Sequence, residues 1–469
     1  MGKVRTISKC IILLALIGIM AASSVRLMMP KNYVQTTEWI ATSNTKGFYD
    51  LNKNSVDVIF IGTSHCFSSF SPQELYNKYN ITSYNLGTGI QSTVVSYYWL
   101  KEALKYQTPK VVVFEPIMLW GYKGPLNSSE AWVRNAIDPM RWSSVKAEAV
   151  DDICRLDPSE SKLSYYFPFI RFHERWKEFG EDDFSESELR KHNMLKGFSP
   201  LLSSCNIEDF QPLTEGSGEG IFGINPTSRE YLDKMAGLCS DNGVPLVIVA
   251  SPYTRFTIDK HNAAKQYADE HGIRFIDLNE ENTYKELGYD FALDNHDLEH
   301  PNLSGANKIT DYLGRVFTEE YGLTGHVDEQ WESTKPAYED ISKDFAVKHE
   351  NDLAEYLKLI SDPRYTVFLS TKGAYTASLT EDQIQGLRDL GLETDFKNSE
   401  GKGFCAVIQD GRVTAEESGS DTIEENGSFR GGKSHYQIMS SVLDDENGGS
   451  IVIDDTESSL KLKGINSVC

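Results

Sequence analysis

At 469 residues the chain is longer than one typical domain, so two or three folding units are expected. A hydrophobic fraction of 40% is ample for packed cores. A formal charge of −23 argues against nucleic acid, an anionic membrane surface or a strongly anionic polymer as the main partner.

In chain order, Lys3, Arg5 and Lys9 precede an apolar stretch from Cys10 to Val25, which Arg26 follows. A cleaved signal peptide fits this pattern, with Ala21-x-Ser23 or Ala22-x-Ser24 as cleavage sites. An uncleaved signal anchor over residues 1–30 fits it too, because about 17–25 residues span a bilayer and Arg26 can snorkel. A buried N-terminal helix is the bland alternative, and the basic flank speaks against it. The anchor is the reading carried forward. It makes the protein a single-pass protein of the cell membrane, with the bulk of the chain outside the cytoplasm.

Val56, Val58, Ile59, Phe60 and Ile61 form an apolar, β-branched run that stops at Gly62-Thr63-Ser64-His65. Ser71, Pro72 and Glu74 then mark a helix start, with an N-cap, a proline at N1 and a capping-box partner. A small turn at the carboxyl end of such a strand is where α/β proteins place ligands and nucleophiles, which makes Ser64 the first suspect. Cys66 competes weakly as a nucleophile and reads better as an apolar neighbour in a packed turn. His65 reads as a substrate contact or a packed turn residue, and Glu115 as a cleft or surface carboxylate.

Strands are expected at 56–62, 83–87, 110–115, 245–250 and 274–278. Helices are expected near 71–79, 92–106, 227–242, 257–271 and 304–319, with Thr227 and Glu230 as a capping box. This alternation predicts an α/β fold, a doubly wound, parallel five-stranded sheet. Residues 117–225 break the pattern as a long, aromatic-rich insertion containing "YYFPFIRFHERW" (165–176), read as a substrate cap or a helical subdomain. Residues 323–361 are polar and weakly helical, a linker. Residues 362–469 read as a small α+β domain: strands at 365–370 and 450–455, a helix at 378–392 capped by Thr380 and Gln383, and a hairpin at 404–413 turning on Asp410-Gly411.

The companion to Ser64 is "DNHDLEHPNLSGANKITDYLG", residues 294–314. Asp297 and His300 are three apart and can face one point. A carboxylate so placed holds the imidazole Nδ1–H and leaves Nε2 for a hydroxyl. Asp294 is a backup orienting carboxylate. His296-x-x-Glu299-His300 also matches the H-x-x-E-H zinc pattern, but Asp294-Asn295 before it and Pro301-Asn302 after it oppose the long helix that site needs. Gly427 to Ser434 matches P-loop spacing. The acidic run before it lacks the buried strand a P-loop requires, so the run from Glu416 and the loop itself read as solvated and flexible. The seven cysteines show no C-x-x-C spacing, so neither a zinc site, a redox motif nor any cofactor is expected. Asn80, Asn127, Asn302 and Asn426 occupy N-x-S/T sites.

Gly62-Thr63-Ser64-His65, Asn85-Leu86-Gly87-Thr88-Gly89 and Asp297-x-x-His300 together resemble the SGNH (GDSL-like) hydrolase superfamily. Within it the pattern resembles the membrane-anchored branch of alginate-acetylation and D-alanine-transfer proteins, over roughly residues 50–322. The resemblance implies that Ser64 is the nucleophile, His300 the general base and Asp297 its orienter. It further implies an oxyanion hole from the Ser64 N–H and a donor between Gly87 and Ile90, with Gly87 and Gly89 preferred. Each such donor is worth about 2.7–4 kcal/mol to a tetrahedral intermediate. Two departures stand out. Thr63 occupies the place of an acidic residue, and the third strand ends in Phe114-Glu115-Pro116 where a Gly-x-Asn-Asp block belongs. Residues 362–469 resemble the interleukin-like EMT inducer (PANDER-like) domain, which implies carbohydrate binding. The expected function is O-acyl transfer, of acetyl in the leading reading, onto a cell-surface or exported polysaccharide, and the resemblance implies a membrane-bound O-acyltransferase that supplies the acyl groups. The alternatives are a carbohydrate esterase with the same triad and a non-catalytic glycan-binding or scaffold protein.

Overall fold

The structure, a computed structural model, describes residues 2–28, 45, 47–121, 124–180, 195–205, 213, 223–373, 375–376, 379–443 and 448–469. Parts of the 117–225 insertion and Ser378 at the start of the expected C-terminal helix lie outside them. The chain divides into two compact units, Met1–Asp340 and Ile341–Cys469.

The first unit begins with α1 (Gly2–Met28). Its stretch Thr6–Ser24 is long and apolar enough to cross a membrane. The α/β alternation follows: β1 (Val58–Ile61), α2 (Ser64–Ser69), α3 (Pro72–Tyr79), β2 (Ser83–Asn85), α4 (Thr93–Ala103) and β3 (Val111–Phe114). The insertion contributes α5 (Glu130–Ile137), α6 (Ser144–Leu156), α7 (Lys162–Tyr166) and α8 (Phe169–Phe172). Next come α9 (Pro226–Asp241), β4 (Leu246–Ala250), α10 (Ile258–His271), β5 (Arg274–Asp277), α11 (Glu281–Leu287), α12 (Phe291–Asp294) and α13 (Leu303–Glu319).

The five strands form one sheet in the order β2-β1-β3-β4-β5, every pairing parallel, with Val58 opposite Ser83 and Val111. This is the expected doubly wound α/β fold. Alternate side chains feed two cores. Ile59, Ile61, Val112 and Phe114 enter one with Trp99 and Tyr231. Val58, Phe60, Val111 and Val113 enter the other with Phe70, Leu313 and Phe317. Both faces are therefore apolar, as a sheet covered by helices on both sides requires.

Local chemistry sets the helix starts. Ser71 caps α3 through the Glu74 N–H, with Pro72 at the first position. The expected reciprocal bond from Glu74 is replaced, because its carboxylate accepts from Tyr338 Oη and pairs with Lys78. The expected capping box at Thr227 and Glu230 is corrected: Asn225 caps α9, accepting from the Ser228 N–H. Ser64 does not sit in an open turn but is the first residue of α2, whose cap Thr63 accepts from the His65 N–H.

Residues 323–361 are largely helical. Within the first unit, α14 (Glu329–Glu332) buries Trp331, and Tyr338 on α15 (Lys335–His349) hydrogen-bonds Asn307 at 2.6 Å. Within the second unit, α16 (Leu353–Ile360) contributes Leu357 and Ile360 to a core.

That second unit holds β6 (Val367–Lys372), α17 (Glu381–Asp389), β7 (Gly403–Gln409), β8 (Arg412–Gly419), β9 (Ile423–Phe429), β10 (Ser434–Ser440), β11 (Ser450–Ile453), β12 (Thr456–Glu457) and β13 (Gly464–Val468). Two four-stranded sheets result, ordered β13-β6-β7-β8 and β12-β11-β10-β9. Val367, Leu369, Phe404 and Ala406 face the helices, while Phe368, Cys405 and Val407 face the second sheet through Phe429, Tyr436 and Ile438. Thr380 and Gln383 form the expected capping box. Asp410 and Gly411 both take positive φ, as a two-residue hairpin turn between Gln409 and Arg412 demands. The acidic run and the P-loop-like segment are corrected from loop to strand, since they form β8, β9 and β10 with the β9–β10 hairpin at Arg430–Gly432.

Candidate active site

β1 lies between β2 and β3, so the chain leaves it in opposite directions on its two sides. The crevice beyond its carboxyl end is the switch point of the sheet. Gly62 leads the turn there for a steric reason: a Cβ on it would lie 2.7 Å from the Glu115 Cβ. Ser64 follows, half-buried, at the start of α2.

The loop from Asn295 to Pro301 brings its partners. A bridge joins those two residues, and the His296 N–H donates to the His300 carbonyl at 2.8 Å. Asp297 Oδ1 accepts from the N–H groups of Glu299 and His300, each at 2.7 Å. The D-x-x-H spacing is thus a self-capping loop turn and not a helical turn. His300 Nδ1 lies 3.1 and 3.0 Å from the two Asp297 carboxylate oxygens, and its Nε2 lies 2.9 Å from Ser64 Oγ. Three side chains up to 236 residues apart are brought into one relay. Burial opposes ionisation of Asp297, but the hydrogen bond and charge of His300 and the two N–H donors outweigh it, holding its pKa at about 2.

Asp294 does not orient His300. It is buried and binds Lys308 Nζ at 2.6 Å, Ser304 Oγ at 2.7 Å and the Asp290 N–H, holding α12 to α13. The H-x-x-E-H pattern lies on this loop, between α12 and α13, and on no helix. His65, Glu299 and His300 nevertheless bring ligand-capable atoms within 4.8 Å of one another. A cation held there would draw His300 Nε2 from Ser64 and compete with Arg255 for Glu299.

His65 itself is buried, its ring 4.9 Å from that of His300 and 4.7 Å from that of Tyr253. Burial, reinforced by the charge of His300, lowers its pKa well below the usual value. It therefore stays neutral and does not oppose a charge developing on His300. Cys66 is also buried, which raises its thiol pKa, and its S–H donates to Asn85 Oδ1 at 3.2 Å. It is a packing residue.

Glu115, expected in the cleft or on the surface, is at neither. At 2% exposure it lies under the serine turn, its Oε2 accepting from Thr63 Oγ1 at 2.7 Å and its Oε1 from the Ile117 N–H at 2.9 Å. Burial raises its pKa to about 7 against those donors. A buried carboxyl at the end of β3 thus reaches the serine turn through Thr63.

Of the two expected glycine donors, Gly87 is corrected: its N–H donates to Asn85 Oδ1 at 3.0 Å. Asn85 in turn donates to the Cys66 and Phe70 carbonyls and so ties the β2 loop to α2. The Thr88 N–H reaches the Gly62 carbonyl at 3.4 Å, which sets the loop beside the serine turn. Among the described residues, the N–H groups of Ser64 and Gly89 donate to no other group. Gly89 lies under the ring of Trp132 from α5, and Ser128 Oγ donates to the Ile90 carbonyl at 2.8 Å. The insertion therefore roofs this loop. It also borders an open polar pocket of about 380 Å³ lined by Ser128, Glu130, Ser159, Glu160, Ser164 and Arg171.

Glu115, Asn85 and Trp132 are the residues that sequence reasoning missed or underused. Glu115 carried a signal in its place at a strand end, and Asn85 in its place in Asn-Leu-Gly-Thr-Gly. Trp132 carried none.

No protein-family model matches the chain, and no curated protein matches it. Among solved structures, a crystal structure of a Bacteroides fragilis protein, provisionally named an acylhydrolase, is similar to it. The match covers 58% of this chain and 93% of that one, at 11% identity and a TM-score of 0.28. The geometry of the site is what bears on function.

Proposed function

We propose that the protein is a serine-dependent O-acyltransferase, acting outside the cytoplasm on hydroxyls of a cell-surface or exported polysaccharide. The observation that carries this reading is the contact of Ser64 Oγ with His300 Nε2 while Asp297 holds Nδ1. His300 takes the Ser64 proton as Oγ attacks an acyl carbonyl, and Asp297 stabilises the imidazolium. The negative charge on the carbonyl oxygen is met by the Ser64 and Gly89 N–H groups. Collapse expels the donor's leaving group with the proton from His300, leaving acyl-Ser64. A sugar hydroxyl then gives its proton to His300 and takes the acyl group, restoring the serine. Asp297, ionised above about pH 2, is ready for this role at any ordinary pH.

The resemblance to the membrane-anchored branch supports a polytopic membrane-bound O-acyltransferase as the source of the acyl group, and the one membrane-length helix among the described residues is compatible with that arrangement. The polar pocket beside Ser128 supports a hydroxyl-rich acceptor. The Ile341–Cys469 unit serves as a carbohydrate-binding module. With water as acceptor the same relay is an ester hydrolase, and the half-exposed rim at Asp297 admits water, which favours this as the second reading.

Incubation with an activated acetyl ester, followed by mass spectrometry of the intact protein and its peptides, tests the proposal. Acetyl on the peptide carrying Ser64, absent in Ser64→Ala, is expected. No adduct, with ester turnover equal in wild type and variant, removes the covalent mechanism. Adding oligosaccharide then separates transfer from hydrolysis by the fate of the acetyl group.

A further inference from the structure

Outside α1, the exposed large apolar side chains of the described residues concentrate in one place, residues 163–176 of the insertion. Leu163, Phe167, Phe169, Ile170 and Trp176 are each between 47% and 62% exposed. Trp142, also exposed, stacks on Tyr166 at 4.9 Å beside them. A contiguous apolar patch of this kind on a folded unit marks a binding surface.

What covers it follows from where it sits. α8 and the turn after it lie against α1, and Arg175 Nη1 donates to the Leu27 carbonyl at 2.7 Å. The membrane-crossing stretch ends at Ser24, so Leu27 stands about 4.5 Å further along the helix axis. The headgroup layer on each side of a bilayer is about 5–7 Å deep. Arg175 is therefore at headgroup level, and the aromatic side chains beside it are at the boundary with the acyl chains, where Trp and Tyr are enriched. Charge agrees. Residues 163–178 hold Arg171, Arg175 and Lys177 against Glu174 and Glu178, a small basic excess on a chain of net charge −23, with Arg171 also paired to Glu130. Basic and aromatic side chains on one edge are the composition of a segment that lies in a membrane surface.

We propose that the 163–176 ledge inserts into the interface of the bilayer that α1 crosses, seating the catalytic unit on the membrane. The proposal rests on reading α1 as a spanning helix. It makes the insertion a membrane contact on one side and a roof over the Gly89 loop, through Trp132, on the other.

The test uses the full-length protein in nanodiscs of phosphatidylcholine and phosphatidylglycerol doped with a diazirine-tailed lipid. Photolysis and peptide mass spectrometry then map the lipid adducts. Adducts on α1 and on residues 163–176 are expected. In a Phe167→Ser, Phe169→Ser, Trp176→Ser variant the ledge adducts fall to background while those on α1 persist. Adducts on α1 alone overturn the proposal and leave the anchor standing; adducts nowhere overturn both. Protection of Trp142 and Trp176 from oxidation by a soluble neutral oligosaccharide, with no ledge adducts, makes the ledge a sugar platform instead. The wild-type map decides the matter even if the variant misfolds.

Discussion

Replacing Glu115 by Gln tests the account of the serine turn most directly. In the folded chain this carboxyl is buried and its pKa rises from the ordinary 4.5 to about 7. At about 1.4 kcal/mol per tenfold change in proton affinity, that displacement is worth about 3 kcal/mol. The sign follows from linkage. Between pH 4.5 and 7 the folded state keeps a proton that the unfolded state has released, so stability falls as pH rises through this window and levels off above it. Glutamine cannot ionise, and its slope in the window should vanish. Relative to wild type, Glu115→Gln should therefore gain about 3 kcal/mol between pH 4.5 and 7.5. Above the window, where the wild-type carboxylate accepts from both Thr63 Oγ1 and the Ile117 N–H, the amide loses one of these bonds, which offsets about 1–3 kcal/mol of that gain. The assay is urea unfolding at a series of pH values, followed by tryptophan fluorescence. All seven tryptophans lie in Met1–Asp340, so the signal reports this unit alone. A wild-type-to-variant difference that stays flat across the window would refute the assignment of a buried, protonatable Glu115.

The remaining predictions concern the relay and its frame. Ser64→Ala should abolish hydrolysis of p-nitrophenyl acetate, and Asp297→Asn should lower kcat by about 10⁴ without loss of fold, as measured by stopped-flow absorbance and circular dichroism. Because a Cβ on Gly89 would lie 2.7 Å from Trp132 Cζ3, Gly89→Ala should lower kcat, and adding Trp132→Ala should restore part of it; no rescue would separate the loop from its roof. Asp294→Asn should cost about 1–3 kcal/mol in urea unfolding while leaving the pH–rate profile in place, since it binds Lys308 and not His300. Zinc should inhibit ester hydrolysis, with reversal by EDTA and weaker inhibition in His65→Ala, because the trio of His65, Glu299 and His300 captures the general base.

Much of the fold was legible because its signals are local. β-branched runs such as Val58–Ile61 and Val111–Phe114 announce strands buried on both faces, and Ser71-Pro72 announces a helix. The errors were local signals overruled by a stronger neighbouring signal or by packing partners elsewhere in the fold. Thr227 and Glu230 look like a capping box, but Asn225 and Pro226 start α9 two residues sooner. The run from Glu416 to Glu425 looks solvated, yet Ala415 just before it and Ile423 within it find apolar neighbours on β8 and β9. Charged side chains on an outer sheet face hide the period-two pattern from a reader of composition.

For the site, the sequence by itself determined which chemistry was on offer: a serine ending a strand, a histidine with a carboxylate three residues before it, and glycines after the second strand. Those features lie within short windows, where backbone sterics and turn hydrogen bonds act. Tertiary structure alone decided which groups meet. It set His300 against Ser64, turned Asp294 away to Lys308, spent the Gly87 amide on Asn85 and brought Glu115 under Thr63. The reason is that burial and approach across a sheet's carboxyl edge depend on strand order, and strand order is written in no short stretch of chain.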